Sequence, residues 1–219
     1  MRPDRIRKDI ATLRVPPHLA DWPAARSAFS WTEARRALAG LPDGALNIAH
    51  EAVERHAHGP RAGQVAIHWL GADGDALHLT YAGLSMLTNC VANALLGLGL
   101  ERGDRLFLLL PRIPELYIAV LGALKAGIVV APLFSAFGPE PIATRINLGS
   151  GRALLTTRAL FERKVAPETQ YFIVLDCGAH VARYQCVDCF SEFFDVVERS
   201  GSENVVTAVP YVVSRARRD

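Results

Sequence analysis

The chain has 219 residues, half of them apolar and 21% charged, enough apolar material for a packed core and too much for wholesale disorder. Its 24 basic and 22 acidic side chains leave a net charge of +2 with no long basic run, which gives no ground for a nucleic-acid partner. No stretch approaches the ~20 uninterrupted apolar residues of a membrane span. The longest candidate, Leu116 to Leu133, is broken by Lys125, Gly127 and Pro132. The basic N-terminus lacks the apolar segment of a secretory signal, so the expectation is a cytoplasmic protein with no membrane partner.

Residues 1–29 are rich in Arg and Pro, and Pro16, Pro17 and Pro23 argue against a long helix there. An extended arm with one or two helical turns is expected. Ser30-Trp31-Thr32-Glu33 matches a capping box, which predicts a short helix to Ala39. Asn47 is a candidate cap for a second helix through His56. Val65–Trp69 and Leu77–Tyr81 read as strands around the Gly71–Asp75 loop, which predicts a β-hairpin. His68 and His78 fall on its two arms and are expected to be a cross-strand pair.

After an N-cap at Thr80, Leu84, Leu87, Val91, Leu95 and Leu98 recur at helical spacing. Leu106–Leu110 is a continuous apolar run, as in a strand covered on both faces. Pro114 opens a helix through Lys125, and Ile128–Leu133 is the next strand. A helix over Pro139–Leu148, a strand over Ala153–Thr156, a short helix over Arg158–Arg163 and a strand over Tyr171–Leu175 continue the alternation. Ser191–Val197 reads as helical and Val205–Val213 as a β-branched run interrupted by Pro210. The fold class is therefore α/β: a partial doubly wound parallel sheet with flanking helices, plus a β-hairpin and an N-terminal helical arm.

Ligands of open parallel sheets bind at the carboxyl ends of the strands. The loop after the 128–133 strand, Phe134-Ser135-Ala136-Phe137-Gly138, combines small residues, two aromatics and a helix start, suited to an anion or a flat ligand. A loop whose phenylalanines simply pack on the sheet would read the same way. Cys177, His180, Cys186 and Cys189 form two pairs of soft ligands, but only five residues separate the pairs. Common zinc modules leave about twelve or more. Zinc binding, redox chemistry by Cys186 and Cys189, and a plain structural role all remain open. Cys90 lies in an apolar helical pattern and reads as a core residue. The residues carry no dinucleotide fingerprint, phosphate-binding G-x4-G-K-[ST] loop or G-x-S-x-G elbow. His50, His56 and His58 lack metalloprotease spacing and read as surface histidines.

Five segments in order carry a resemblance: Thr80-Tyr81-x-x-Leu84, Gly103-Asp104-Arg105, Leu110-Pro111-Arg112-x-Pro114-Glu115-Leu116, Leu121 to Gly127, and Pro132 to Glu140. Together they resemble the N-terminal part of AMP-forming acyl-CoA synthetases of the adenylate-forming superfamily, in the acetyl-CoA synthetase branch. The resemblance covers about residues 28–165 and departs at Gly83, where the family commonly has Glu. It implies a ligase that uses ATP, Mg2+ and CoA to convert a carboxylic acid to acyl-CoA, AMP and pyrophosphate. It further implies that Ser135, Ala136 and Phe137 border a CoA channel, with Arg163 and Lys164 nearest to the CoA 3′-phosphate. An ordinary basic helix C-terminus would also explain those two cations.

The phosphate loop and the catalytic lysine of the family's mobile C-terminal domain lie further along a family chain than these residues. The expectation is an N-terminal fragment, without catalytic residues and inactive alone. Its expected partners are CoA and a separately encoded remainder of the ligase, with a non-enzymatic CoA-binding or partner-binding module as the alternative. The expected division is an arm with short helices over 1–60, a partial α/β subdomain of an AMP-binding domain over 61–176, and a divergent tail over 177–219.

Overall fold

A computed structural model describes residues 9, 12–15 and 17–165, together with the backbone of 174–175, 195–199 and 206–210. The chain divides into two compact units, 1–39 and 40–219.

The first unit contains α1 (Trp22–Ala28) and α2 (Trp31–Arg36). Asp21 caps α1 by accepting from the Ala24 amide at 2.9 Å. Pro23 sits in the first turn, so this proline opens a helix where its missing N–H costs nothing. The capping box expected at Ser30 does not form: Ser30 makes no side-chain cap bond. Glu33 pairs forward with Arg36 instead of reaching back, and the helix stops at Arg36 rather than Ala39.

In the second unit, the Asn47 carboxamide oxygen accepts from the Ala49 and His50 amides at 2.9 and 3.2 Å, as a cap should. The helix it opens is not regular. A π-helical stretch over His50–Glu54 precedes α3 (Arg55–Ala57). The hairpin follows as β1 (Val65–Leu70) and β2 (Ala76–Thr80), antiparallel, with an irregularity between Val65 and Ile67. Thr80 then caps α4 (Tyr81–Gly97), accepting from the Gly83 amide at 3.2 Å.

The centre is a three-stranded parallel sheet of β3 (Arg105–Leu109), β4 (Val129–Pro132) and β5 (Ala153–Thr156), in the order β4-β3-β5. Between the strands run α5 (Pro114–Lys125) and α6 (Pro139–Leu148), and α7 (Arg158–Lys164) follows β5. The two-residue period of β3 sorts its side chains. Leu106, Leu108 and Leu110 pack with Leu84, Leu87, Val91 and Leu95 of α4 and with Ile118, Ala119 and Ala123 of α5. Phe107 and Leu109 face the opposite way, onto Ile142 and Ile146 of α6 and Leu160 of α7. Helices thus cover both faces, and the continuous apolar run is explained by burial on both sides.

On the first face α4 and α5 cross closely at Gly122. A Cβ there would lie 2.6 Å from the Val91 side chain and 2.9 Å from the Thr88 carbonyl oxygen. Only glycine admits that approach. At the end of α5, Gly127 adopts φ +76°, the left-handed turn that redirects the chain into β4.

The C-terminal expectations are corrected. Asp195–Val197, expected within a helix over Ser191–Val197, lies in strand β7 (Asp195–Arg199), which pairs antiparallel with β8 (Val206–Pro210), Val196 opposite Val209 and Val197 opposite Ala208. Of the strand expected over Tyr171–Leu175, the described part is β6 (Val174–Leu175). It pairs antiparallel with β7 in a separate sheet and does not extend the parallel one.

Candidate functional site

The strand order sets where a ligand can enter. From β3 the chain moves through α5 to β4 on one side, then returns past β3 through α6 to β5 on the other. The two connections lie on opposite faces, so the chain leaves β3 and β5 toward opposite sides of the sheet, the arrangement at which doubly wound sheets take their ligands. Thr156 ties the carboxyl ends of β5 and β3 together: its fully buried hydroxyl donates to the Leu109 carbonyl at 2.7 Å. Thr157 then caps α7 by accepting from the Leu160 amide at 3.3 Å. On the β3 side the Trp69 indole N–H of the hairpin donates to the Arg112 carbonyl at 2.9 Å, anchoring the Pro111–Ile113 loop.

The loop after β4 carries Ser135, Ala136 and Phe137. Ser135 and Phe137 are half-buried and Ala136 is exposed. Phe137 is held from three sides. Phe134 meets its ring edge-on, with centroids 5.7 Å apart. The Arg145 guanidinium of α6 lies 4.2 Å from the ring centroid, within cation–π range. The Lys164 ammonium donates to the Phe137 carbonyl at 2.9 Å. Two segments singled out separately in the sequence, 135–137 and 163–164, therefore meet at Lys164. An ammonium has three N–H donors, so this contact still allows Lys164 to bind an anion. Arg163 donates its Nε–H to the Ala159 carbonyl of its own helix at 2.9 Å and is not drawn to the loop.

The start of α6 is a poorer anion site than its sequence position suggests. Pro139 and Pro141 have no N–H, so only Glu140 among the first three helical residues brings an amide donor. An anion at this loop would depend on the basic side chains.

A second polar centre was not anticipated. The Lys125 ammonium, at the end of α5, has four acceptors within hydrogen-bond distance of its three N–H donors: the Glu54 carboxylate at 2.6 Å, the Thr88 hydroxyl at 2.8 Å, the Asn89 carboxamide oxygen at 2.8 Å and the Ser85 carbonyl at 3.2 Å. Ser85 donates its hydroxyl to the same Glu54 oxygen at 2.7 Å, and His58 lies 3.4 Å from the other. Burial by itself pushes the Glu54 carboxyl upward. The hydrogen bonds from Lys125 and Ser85, the Lys125 charge and His58 outweigh that and hold it below the usual glutamate value. Asn47 adds a bond from its amide group to the Leu124 carbonyl at 2.8 Å. The Leu121–Gly127 segment is thus a structural hub joining the 47–57 helix, α4 and α5. In the sequence Lys125 showed only as the last residue of an apolar helix, inside the Leu121–Gly127 segment of the family resemblance.

The remaining candidates separate clearly. Cys90 is half-buried and its thiol is pushed up by burial, in keeping with a packing role. Cys177, His180, Cys186 and Cys189 lie outside the described residues. Among the described residues no group of three or more His, Cys, Asp or Glu side chains could hold a metal ion. None of their helices is long and apolar enough to cross a membrane.

Known proteins bear on this geometry. The chain is 34% identical over 164 residues to the acetyl-coenzyme A synthetase of Bacillus subtilis, covering 71% of this chain and 28% of that protein. It is 35% identical over 196 residues to the acetyl-coenzyme A synthetase of Mycobacterium tuberculosis, covering 84% and 29%. The fold matches the crystal structure of a Brucella canis acyl-CoA synthetase with a TM-score of 0.65 and 29% identity, covering 73% of this chain and 29% of that one. The chain therefore spans under a third of the length of the curated relatives it matches. The profile of the family described as AMP-binding enzyme matches residues 53–200, more than half of the chain. With the doubly wound sheet and the motif order on the same stretch, the chain belongs to the AMP-binding enzyme family.

Proposed function

We propose that this chain forms the N-terminal α/β part of an AMP-forming acetate–CoA ligase and contributes to its CoA side. The ligase reaction joins a carboxylic acid, ATP and CoA into acyl-CoA, AMP and pyrophosphate. The observation that carries the reading is the contact between Lys164 and the Phe137 carbonyl, which draws the basic end of α7 to the loop after β4. A half-buried aromatic, small residues and a cation at one place suit a phosphorylated, partly apolar ligand such as CoA. In this reading Ser135, Ala136 and Phe137 line the path, and Lys164, with Arg163 beside it, meets the phosphate. ATP and Mg2+ supply acyl activation in the ligase. That step needs several donors around the α-phosphate, and no phosphate loop occurs in these 219 residues. These 219 residues by themselves are therefore proposed not to carry out that step, to work with the rest of a ligase, and to reside in the cytoplasm.

Two measurements test this. Calorimetry with CoA should give saturable binding that weakens severalfold in Lys164→Ala; no binding at millimolar CoA overturns the CoA role. Acetate-, ATP- and CoA-dependent AMP release should stay at background, and turnover would overturn the inactivity. A second reading, a non-enzymatic module that binds CoA or a partner, is favoured by the same contact, because that contact needs no catalytic machinery. It is distinguished by a native partner, captured on the tagged chain, that is not a ligase segment.

A further inference from the structure

The hairpin carries a feature the ligase reading does not use. His68 and His78 are directly opposite in the antiparallel register, and their rings stack with centroids 4.1 Å apart and planes 25° from parallel. Both are exposed, on the face of the hairpin away from the buried Leu79. Among the described residues neither imidazole makes a hydrogen bond or ion pair with the protein.

We propose that His68 and His78 form a two-imidazole binding site for a divalent transition ion of the Cu2+, Ni2+ or Zn2+ class. Opposed residues on paired strands hold their Cβ atoms about 4.5–5.5 Å apart, so the backbone sets the span before any ligand arrives. Two imidazole nitrogens bound to one ion at about 2.0–2.1 Å stand roughly 3 Å from each other. To bind one ion the rings must turn out of the stack so that their in-plane lone pairs converge, and their exposed position leaves room for that. Because both rings already face solvent, binding desolvates little of the protein. Imidazole nitrogen suits this group of ions rather than Mg2+ or Ca2+. No third His, Cys, Asp or Glu side chain joins the pair among the described residues, so water completes the coordination. The bound ion would clip β1 to β2 at mid-hairpin, next to the Trp69 indole that anchors the loop after β3.

The test is calorimetric titration of the full 219-residue chain with NiCl2, comparing wild type, His68→Gln, His78→Gln and a His50→Gln control. The second imidazole binds as an intramolecular ligand, so removing either one should weaken one binding event roughly tenfold or more. The control should leave that event unchanged. Circular dichroism of each variant checks that the exposed substitutions keep the fold. If both hairpin variants fold and bind Ni2+ within twofold of wild type, the proposal is overturned. It is also overturned if only one of the two histidines matters, since a two-ligand site requires both.

Discussion

The Lys125 ammonium lies 2.6 Å from the Glu54 carboxylate, across 71 positions of the chain. The pair is mostly shielded from water, with side-chain exposures of 16% and 18%. Each charge depends on the other and on the Ser85 and Thr88 groups around it. Replacing Lys125 by Met leaves a partly buried carboxylate without its main partner, and should cost about 2–3 kcal/mol of stability in urea unfolding. The double variant Glu54→Gln, Lys125→Met should cost less than the sum of the two single changes. Strict additivity would mean that the two groups do not interact energetically.

Acid should act through the same carboxylate. The folded-state value of Glu54 is depressed, so its contribution is present above the unfolded value and is lost as pH falls through the folded one. The stability advantage of wild type over Glu54→Gln should therefore hold at neutral pH and shrink below roughly pH 4, where an ordinary glutamate titrates. Urea midpoints of the two proteins from neutral pH to pH 3 check this. A gap that widens on acidification would reverse the sign and refute it.

Gly122→Ala should be more damaging than a helix-propensity scale suggests. Alanine is the better helix former, by about 1 kcal/mol in an open helix. Here the added methyl would sit 2.6 Å from the Val91 side chain and 2.9 Å from the Thr88 carbonyl. Overpacking at such a crossing should destabilise by about 1–3 kcal/mol. Val91→Ala in the same chain should recover part of the loss. Thermal or urea unfolding of wild type and the two variants measures it, and a stabilised Gly122→Ala would show that the helices can part freely.

Lys164→Ala should loosen a loop without unfolding the domain. It removes the donor to the Phe137 carbonyl, while the Phe134 edge contact and the Arg145 cation remain. Chymotrypsin should cut after Phe134 or Phe137 several times faster than in wild type. Global stability should change by no more than about 1 kcal/mol, the worth of one such bond. Equal cleavage rates would remove Lys164 from any role in holding the loop.

Much of the fold was legible because each central element obeys one local rule. Leu106–Leu110 reads as a two-sided strand, Pro114 marks a helix start, and the Gly71–Asp75 loop sits between two arms that do pair, with His68 opposite His78. Failures came where a side chain had two partners within reach. Glu33 chose Arg36 over the Ser30 amide, and a spacing pattern does not rank those options. The π-helical turn at His50–Glu54 leaves no mark in periodicity. At Asp195–Val197 a helical pattern gave way to backbone pairing with a strand that follows it. The candidate site was half legible: the 135–137 loop and Lys164 were each identified, and their meeting depends on tertiary packing. The Glu54–Lys125 hub was invisible because its members come from three separate helices.

The order of strands in the sheet differs from the order in which a ribosome makes them. β3 is synthesised before either neighbour, yet it occupies the middle. Its β4 side can be paired once α5 and β4 have emerged, but its other side stays bare until Thr156 has been made. Through that interval Phe107 and Leu109 also lack Leu154 and Leu160, which come still later than the α6 residues that partly cover them. The nascent chain therefore displays an apolar strand with one naked edge during elongation, a template for wrong pairing. Slow translation between β4 and β5 should prolong that exposure and lower the share of chains that reach the folded state.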